Sequence, residues 1–379
     1  MAETDTLAAS GFAAALAEGS DWRETAEACL AALGPVPPGA NLGFLYATDA
    51  LADDSGRLLD LLRQRSGVAH WVGTTGFGVA GSGAEIYDRP ALSLLVGRFP
   101  DEAFRVFPAV SQDLDGFHQH CGVWLQDSPP ILGVVHGDPR NPKLPDLIAD
   151  LSEETAAFLV GGLASTRSEP KPIADEVAEG GLSGVLFGSG VEVAAGLSQG
   201  CSPIGPSRRI TASDRNIVMT LDERPALEVL LEDVEVEDLE ALQQAAANTL
   251  VAFPVTGSDT GDYLVRNLMG VDPERGWIAV GEMVQSGQAM LFCRRDREAA
   301  ETDLRRMLAQ LKGRLSGPPR GALYFSCIAR GENLFGPGSA ELRLIRDELG
   351  DLPLAGFFAN GEISNNRLYG YTGVLALFL

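Results

Sequence analysis

With 379 residues, 45% hydrophobic and 21% charged, the chain can bury a substantial core and is excluded from the disordered class. Its 29 basic and 52 acidic side chains leave a formal charge of −23, so neither nucleic acid nor a membrane surface is expected as a partner. At roughly 150 residues per domain, the length implies two to three domains. No run approaches the ~20 apolar residues of a membrane span, and the acidic opening Met1-Ala2-Glu3-Thr4-Asp5 is unlike a secretory signal. The cysteines, Cys29, Cys121, Cys201, Cys293 and Cys327, are widely spaced and form no CxxC pair. That usage fits a reduced, cytoplasmic protein better than a disulfide framework or a thiolate zinc site.

In chain order, Leu7 to Leu33 reads as helix broken near Gly19, where Ser20 or Asp21 can cap a second helix. Leu42 to Ala47, Val68 to Val72 and Leu92 to Val96 read as buried strands, and Ser55 to Arg65 as a helix. Ile131 to Val135 is strand, Leu144 to Leu151 helix and Phe158 to Leu163 strand, followed by a linker-like stretch from Thr166 to Gly180. Gly184 to Phe187 and Val191 to Ala195 read as a hairpin about Gly188-Ser189-Gly190. Helices are expected over Arg224 to Leu231 and Asp238 to Leu250. Ile278 to Val284 and Ala289 to Cys293 then read as a strand pair. Leu304, Leu308, Leu311 and Leu315 make Ala299 to Leu315 the clearest helix. Leu323 to Ala329, Leu354 to Phe358 and Val374 to Phe378 read as strands, with a helix over Ser339 to Leu349.

This alternation implies a mixed α/β (α+β) fold of two related domains, each a mixed sheet flanked by helices. There is also an internal echo. Ile131 to Ser165 and Leu323 to Ser364 both run strand, polar loop, helix, strand, glycine-containing turn.

Four histidines limit acid–base and metal chemistry. His118-Gln119-His120-Cys121 is metal-like in composition, but nothing nearby completes a ligand set, so an exposed polar loop is expected. His136 ends an apolar strand, where ligands sit in α/β sheets; the alternative is a turn histidine bonded near Asp138. Gly73-Thr74-Thr75-Gly76-Phe77-Gly78 is either an anion-binding nest or a tight turn, and lacks both the Walker lysine and the dinucleotide spacing. Cys201 lies in the rigid run Gln199 to Pro206, with Arg208 and Arg209 near enough to favour a thiolate or an anion. Cys327, Arg330 and Gly331 follow one strand, and Asn360, Gly361 and Glu362 close another, with Arg330 as an expected partner for Glu362. For each cysteine the plain alternative is a small buried hydrophobe.

These motifs resemble the FIST proteins (F-box and intracellular signal transduction). The resemblance rests on Gln199 to Pro206, Val265-Arg266-Asn267-Leu268 with Gly270-Val271-Asp272-Pro273, and Phe325 to Gly331. It continues through Gly356 to Ile363 and Tyr371 to Phe378, and more loosely through Val72 to Gly76, Gly161 to Ser165 and Leu221 to Leu230. In that family a FIST-N and a FIST-C domain stand in tandem. The resemblance implies an N-terminal helical segment over 1–39, a first domain over 40–225 and a second over 226–379. It further implies a free-standing intracellular sensor, not an enzyme, that binds a small molecule such as an amino acid or related metabolite and signals to a histidine kinase or another signalling protein.

No cofactor is expected from the residues. A branch of the family binds haem and senses nitric oxide, so haem is the alternative, although Tyr369 stands where many relatives carry a histidine. A cysteine-dependent enzyme is a third reading. The expected ligand-binding residues are Cys201, Cys327, Arg330, Gly331, Asn360, Gly361 and Glu362, gathered around one pocket.

Overall fold

The computed structural model describes residues 11–245, 248–255 and 262–379. The fold is mixed α/β, with nine helices among the described residues and mixed sheets. The chain forms two compact units, Met1–Ser198 with Leu304–Leu379, and Gln199–Asp303.

The first unit repeats one pattern three times: strand, helix, strand, helix, parallel strand, hairpin, returning strand. The first repeat runs Phe12–Glu18, Trp22–Leu33, Leu42–Thr48, Ser55–Ser66, His70–Gly76, the hairpin Gly78–Gly81 with Ala84–Tyr87, and Ala91–Gly97. The second runs Phe104–Val110, Asp115–Asp127, Pro130–Gly137, Leu144–Thr155, Phe158–Leu163, the short hairpin Ile173–Ala174 with Glu176–Val177, and Leu182–Gly188. The third starts at Val193–Ser198, leaves for the second unit, and resumes with Arg297–Lys312, Gly321–Cys327, Ala340–Leu349, Leu354–Ala359, the hairpin Glu362–Ser364 with Arg367–Tyr369, and Gly373–Phe378. The internal echo is therefore real and has a third member.

Each repeat builds most of one sheet. Its two central strands are parallel, Leu42 beside His70, Leu132 beside Phe158 and Ala322 beside Leu354, because the helix between them returns the chain in the same direction. The hairpins do not stay at home. That of the first repeat adds to the third sheet (Val79 opposite Phe357), that of the second to the first sheet (Ile173 opposite Gly73), and that of the third to the second sheet (Ile363 opposite Gly161). Every sheet is thus finished by another repeat. The central strands, covered on both faces, are near-continuous apolar runs. Their inner faces form one core with Phe44, Val134 and Phe325, where Phe12, Phe99, Phe187 and Phe378 stack or meet edge to face.

The second unit is antiparallel. Its ring runs Ala289–Arg295, Arg208–Asp214, Ile217–Leu221, Trp277–Val280, Tyr263–Asp272 and Thr249–Pro254, which pairs back onto Ala289–Arg295 and so leaves no free edge in that ring. Cys201–Pro203 adds to Ala289–Arg295, and the helix Ala226–Val234 packs Leu227 and Leu230 onto a core with Ile210, Val218 and Phe292.

Several expectations are corrected. Phe12–Glu18 is a strand, not helix, because its alanines pair with Ala91–Gly97; Asp21 does cap the following helix through Arg23 and Glu24 N–H. Residues 7–10 lie outside the described residues. The strands Leu182–Gly188 and Val193–Ser198 belong to different sheets and form no hairpin. Trp277–Val280 and Ala289–Arg295 likewise pair with other strands rather than with each other. The linker-like stretch holds the hairpin that completes the first sheet. Of the helix expected over Asp238 to Leu250, the described residues show Leu239–Ala245 as helix and Thr249–Pro254 as strand.

Candidate functional site

The strand Gly321–Cys327 alternates, so Tyr324 and Ser326 face one side and Leu323, Phe325 and Cys327 the other. On the Tyr324 side lies a sealed ionic network. Arg330 and Glu341 are both fully buried, with Nε and Nη2 of Arg330 each 2.7 Å from Glu341 Oε1. Tyr324 donates to Oε1 (2.7 Å), while Ser326 and the Gly331 N–H donate to Oε2 (3.0 Å each). Ser198 completes the guanidinium's partners at 3.4 Å. Burial works against the Arg330 charge, and Glu341 more than compensates, holding its pKa above the usual value. Gly331 turns here at φ +53°, and a Cβ at that position would run into Tyr87 Oη and the Phe358 ring. Arg330 therefore pairs with Glu341 where Glu362 was expected.

On the Phe325 side, Cys327 meets Glu362, which is fully buried at the start of the exchanged hairpin. Thr372 donates its N–H (3.1 Å) and its hydroxyl (2.8 Å) to Oε2, while Oε1 has no hydrogen-bond partner. Desolvation pushes the carboxyl up to about 8, against the Thr372 donors, the Arg330 charge and the Cys327 thiol, all of which favour ionisation. Near neutral pH the group is thus largely a carboxylic acid. Its Oε2 is the doubly bonded acceptor and its Oε1–H an unused donor. Burial, and then Glu362, push the Cys327 thiol up as well, which leaves it protonated.

The same inner face carries His136. Glu362 and His136 flank Gly162 from neighbouring strands, so both side chains lie on one face of the second sheet. His136 is fully buried, its Nε2 is 3.2 Å from Tyr46 Oη, and its Nδ1 has no partner. Burial lowers its pKa to about 3, so the ring is neutral. It is the core histidine of a strand end, bonded to Tyr46 and not to the Asp138 turn; Asp138 is taken by Arg140 at 2.9 Å.

The other expected residues fall elsewhere. Cys201 is buried in the second unit, where Tyr263 Oη donates to its carbonyl and its thiol contacts Cys293. Arg208 is held by Asp233 at 2.5 Å, so its guanidinium is spoken for by a carboxylate, while Asp222 accepts the backbone N–H of the exposed Arg209. Asn360 is an exposed turn residue whose N–H bonds Leu163 O at 3.0 Å, and the carbonyl of Gly361 accepts from Leu163 N–H at 2.9 Å. These two bonds dock the exchanged hairpin. Gly73 to Gly76 is strand, not a loop.

His118 and His120 lie on the helix Asp115–Asp127, where residues two apart point to different sides, and His118 pairs with Glu154 at 2.7 Å. No group of three metal-ligating side chains occurs among the described residues. His136 is packed between Tyr46, Phe325 and Phe357 with ring centroids 5.5–6.1 Å away, and His70 Nδ1 lies 2.8 Å from Asp175.

Reasoning from sequence missed Glu341, Tyr46 and Ser183, and named Thr74 and Thr372 only within motifs, with no partner assigned to either. Thr372 stands inside the Tyr371-Thr372-Gly373 motif, which was a usable signal. Glu341 sits in the first turn of a helix and reads as an ordinary helix-start carboxylate.

A family model described as the FIST N domain matches residues 41–224, and one described as the FIST C domain matches residues 226–365. An uncharacterized protein of Mycobacterium tuberculosis (strain H37Rv) is 31% identical over 361 residues, covering 89% of this chain and 91% of that protein. An uncharacterized protein of Mycobacterium bovis is 36% identical over 233 residues, 58% of this chain and 60% of its own length. Neither name carries an activity. The family models divide the chain near residue 225, whereas the compact units divide it at Ser198 and Leu304.

Proposed function

The chain belongs to the family built from tandem FIST N and FIST C domains, which is associated with signal transduction and ligand sensing, and on that premise we propose a cytoplasmic small-ligand sensor whose recognition group is Glu362. The observation that carries the reading is Oε1 of Glu362, a buried polar atom without a partner. Native interiors rarely leave such an atom unsatisfied, because the desolvation cost is on the order of 1–3 kcal/mol. A ligand group supplies what the fold withholds.

An amino acid or related metabolite suits this group through its ammonium. A cation beside Glu362 favours the carboxylate, so binding near pH 7 releases a proton. Arg330 is committed to Glu341 and is not the receptor for the ligand's own carboxylate. A downstream partner, such as a histidine kinase, then reads the change. No described helix is long and apolar enough to cross a membrane.

The test is a thermal-shift screen with amino acids, amines and organic acids, followed by calorimetry of any hit in two buffers of different ionisation enthalpy. A hit at 100 times its Kd stabilises by about 2.7 kcal/mol. Loss of that shift in Glu362→Gln, together with about one proton released by the wild type, supports the reading. A screen without hits, or an unchanged response in the variant, sinks it.

A further inference from the structure

Three buried polar atoms besides Glu362 Oε1 lack partners on the inner faces of the first and second sheets: His136 Nδ1, Ser183 Oγ and Thr74 Oγ1. All three residues are fully buried. Ser183 stands directly opposite His136 in the antiparallel ladder, so the two side chains share a face at close range. Thr74 stands beside Tyr46 in the parallel ladder of the other sheet, and Tyr46 Oη is the atom that touches His136. The strand of Thr74 also packs against the strands of His136 and Ser183.

One orphan is tolerable; an orphaned imidazole nitrogen with an orphaned hydroxyl opposite it, and a third orphan beside the tyrosine that touches the ring, are a pattern. Nδ1 needs a partner whichever way the protons lie. If Tyr46 donates to Nε2, then Nδ1 carries the ring proton and needs an acceptor; if Tyr46 accepts, Nδ1 is a bare lone pair that needs a donor. The hydroxyls of Ser183 and Thr74 can each turn to either role. The facing groups are an imidazole, a phenol and two hydroxyls, with Phe325 and Phe357 closing the aromatic side. An ion among them has no countercharge and is excluded by its desolvation cost.

We infer that His136, Ser183 and Thr74 form a second, interior binding site for a small uncharged molecule of the amide class, one that donates and accepts hydrogen bonds at once. The site is distinct from the Glu362 carboxyl and does not rest on the ligand proposed for it.

The test uses the full chain labelled with 15N-histidine and titrated with acetamide, with acetate and methylammonium as charged probes of the same size. The expected result is a saturable shift of the His136 Nδ1 resonance with acetamide alone. Ser183→Ala and Thr74→Val should each weaken it tenfold or more, while Glu362→Gln leaves it unchanged. Thr74→Ser, which keeps the hydroxyl, should restore it. A spectrum that ignores acetamide, as expected if the site holds ordered water only, overturns the inference, as does equal response to the charged probes. Because the wild-type titration is decisive alone, a variant that fails to fold does not rescue the idea. If Glu362→Gln abolishes acetamide binding too, the two sites are one and the separation proposed here is wrong.

Discussion

The two faces of the strand Gly321–Cys327 solve opposite problems with similar residues. On one face Arg330 and Glu341 are ionised, buried and supplied with partners by Tyr324, Ser326, Gly331 and Ser198. On the other, Glu362 is buried without a full set, is held near neutrality, and keeps one oxygen unused. A satisfied charge network fixes geometry, whereas an unsatisfied neutral group awaits a partner. The most conspicuous residue of the motif, Arg330, is therefore bound to Glu341, and the carboxyl expected to be its partner is the one that keeps an oxygen unpaired.

Removing one member of the network should give the largest effect. Glu341→Ala strands the Arg330 charge and is expected to cost about 3–5 kcal/mol in denaturant unfolding. The double variant Arg330→Met with Glu341→Leu should recover much of that loss. A single-variant cost below about 1 kcal/mol would erase the contrast between the two faces.

Replacing Glu362 should instead change the slope of stability with pH. Its folded pKa lies above the ordinary value of 4.5, at about 8. Between those values the unfolded chain has released the proton and the folded chain retains it. The contribution is therefore complete below 4.5 and is lost as pH rises to about 8, at up to ~1.4 kcal/mol per pH unit. Glu362→Gln should flatten this fall and be more stable than wild type at pH 8. Thermal unfolding across pH 4–9 measures both chains, and parallel curves would contradict the assignment. Glu85, also raised to about 8 by desolvation and then by Glu341 and Glu332, titrates in the same window. The Glu85→Gln variant separates its share.

His136 works in the opposite direction. Its folded pKa, about 3, lies below the ordinary 6.5, so its contribution is complete above 6.5 and is lost as pH falls toward 3. His136→Phe should be less stable than wild type at pH 7 by about 1–3 kcal/mol, since Tyr46 Oη loses its partner. That gap should narrow in acid, and a gap that widens would show the imidazole to be charged. Smallest of all is Asn360→Ala. Its exposed side chain should be worth less than about 0.5 kcal/mol, with no effect on any ligand-induced shift, despite its place in the motif.

Much of the element order was legible because long apolar runs and leucine stripes reflect burial directly. Leu42–Thr48, Phe158–Leu163 and Ala340–Leu349 follow from their patterns. Phe12–Glu18 did not, because alanine favours helix locally and only the partner strand Ala91–Gly97 makes it extended. Sheet membership was hidden for the same reason: a strand's pattern says which faces are buried, not which neighbour buries them. At the site, Cys327, Arg330, Gly331 and Glu362 were found in sequence and do come together within the first unit. The partition between Arg330 with Glu341 and Glu362 with Thr372 depends on which way alternate side chains point, and two carboxylates compete for one arginine. Ser183 carries no signal at all, since a serine in a strand is unremarkable until its hydroxyl is left alone, and Thr74 stood out only within a glycine-rich run that proves to be strand.

The exchange of hairpins also bears on how the chain is made. Residues 78–87 emerge from the ribosome long before their strand partner, Leu354–Ala359. The third sheet thus joins segments far apart in sequence, with the whole second unit synthesised in between. Such non-local pairing delays folding and leaves an apolar, unpaired edge waiting during translation. A chain released before Leu354 lacks not only much of its own third repeat but also the hairpin that completes the second sheet and the strand that receives the hairpin of the first. Quality control therefore has an early signal: an incomplete chain exposes sheet edges in repeats that are themselves fully synthesised.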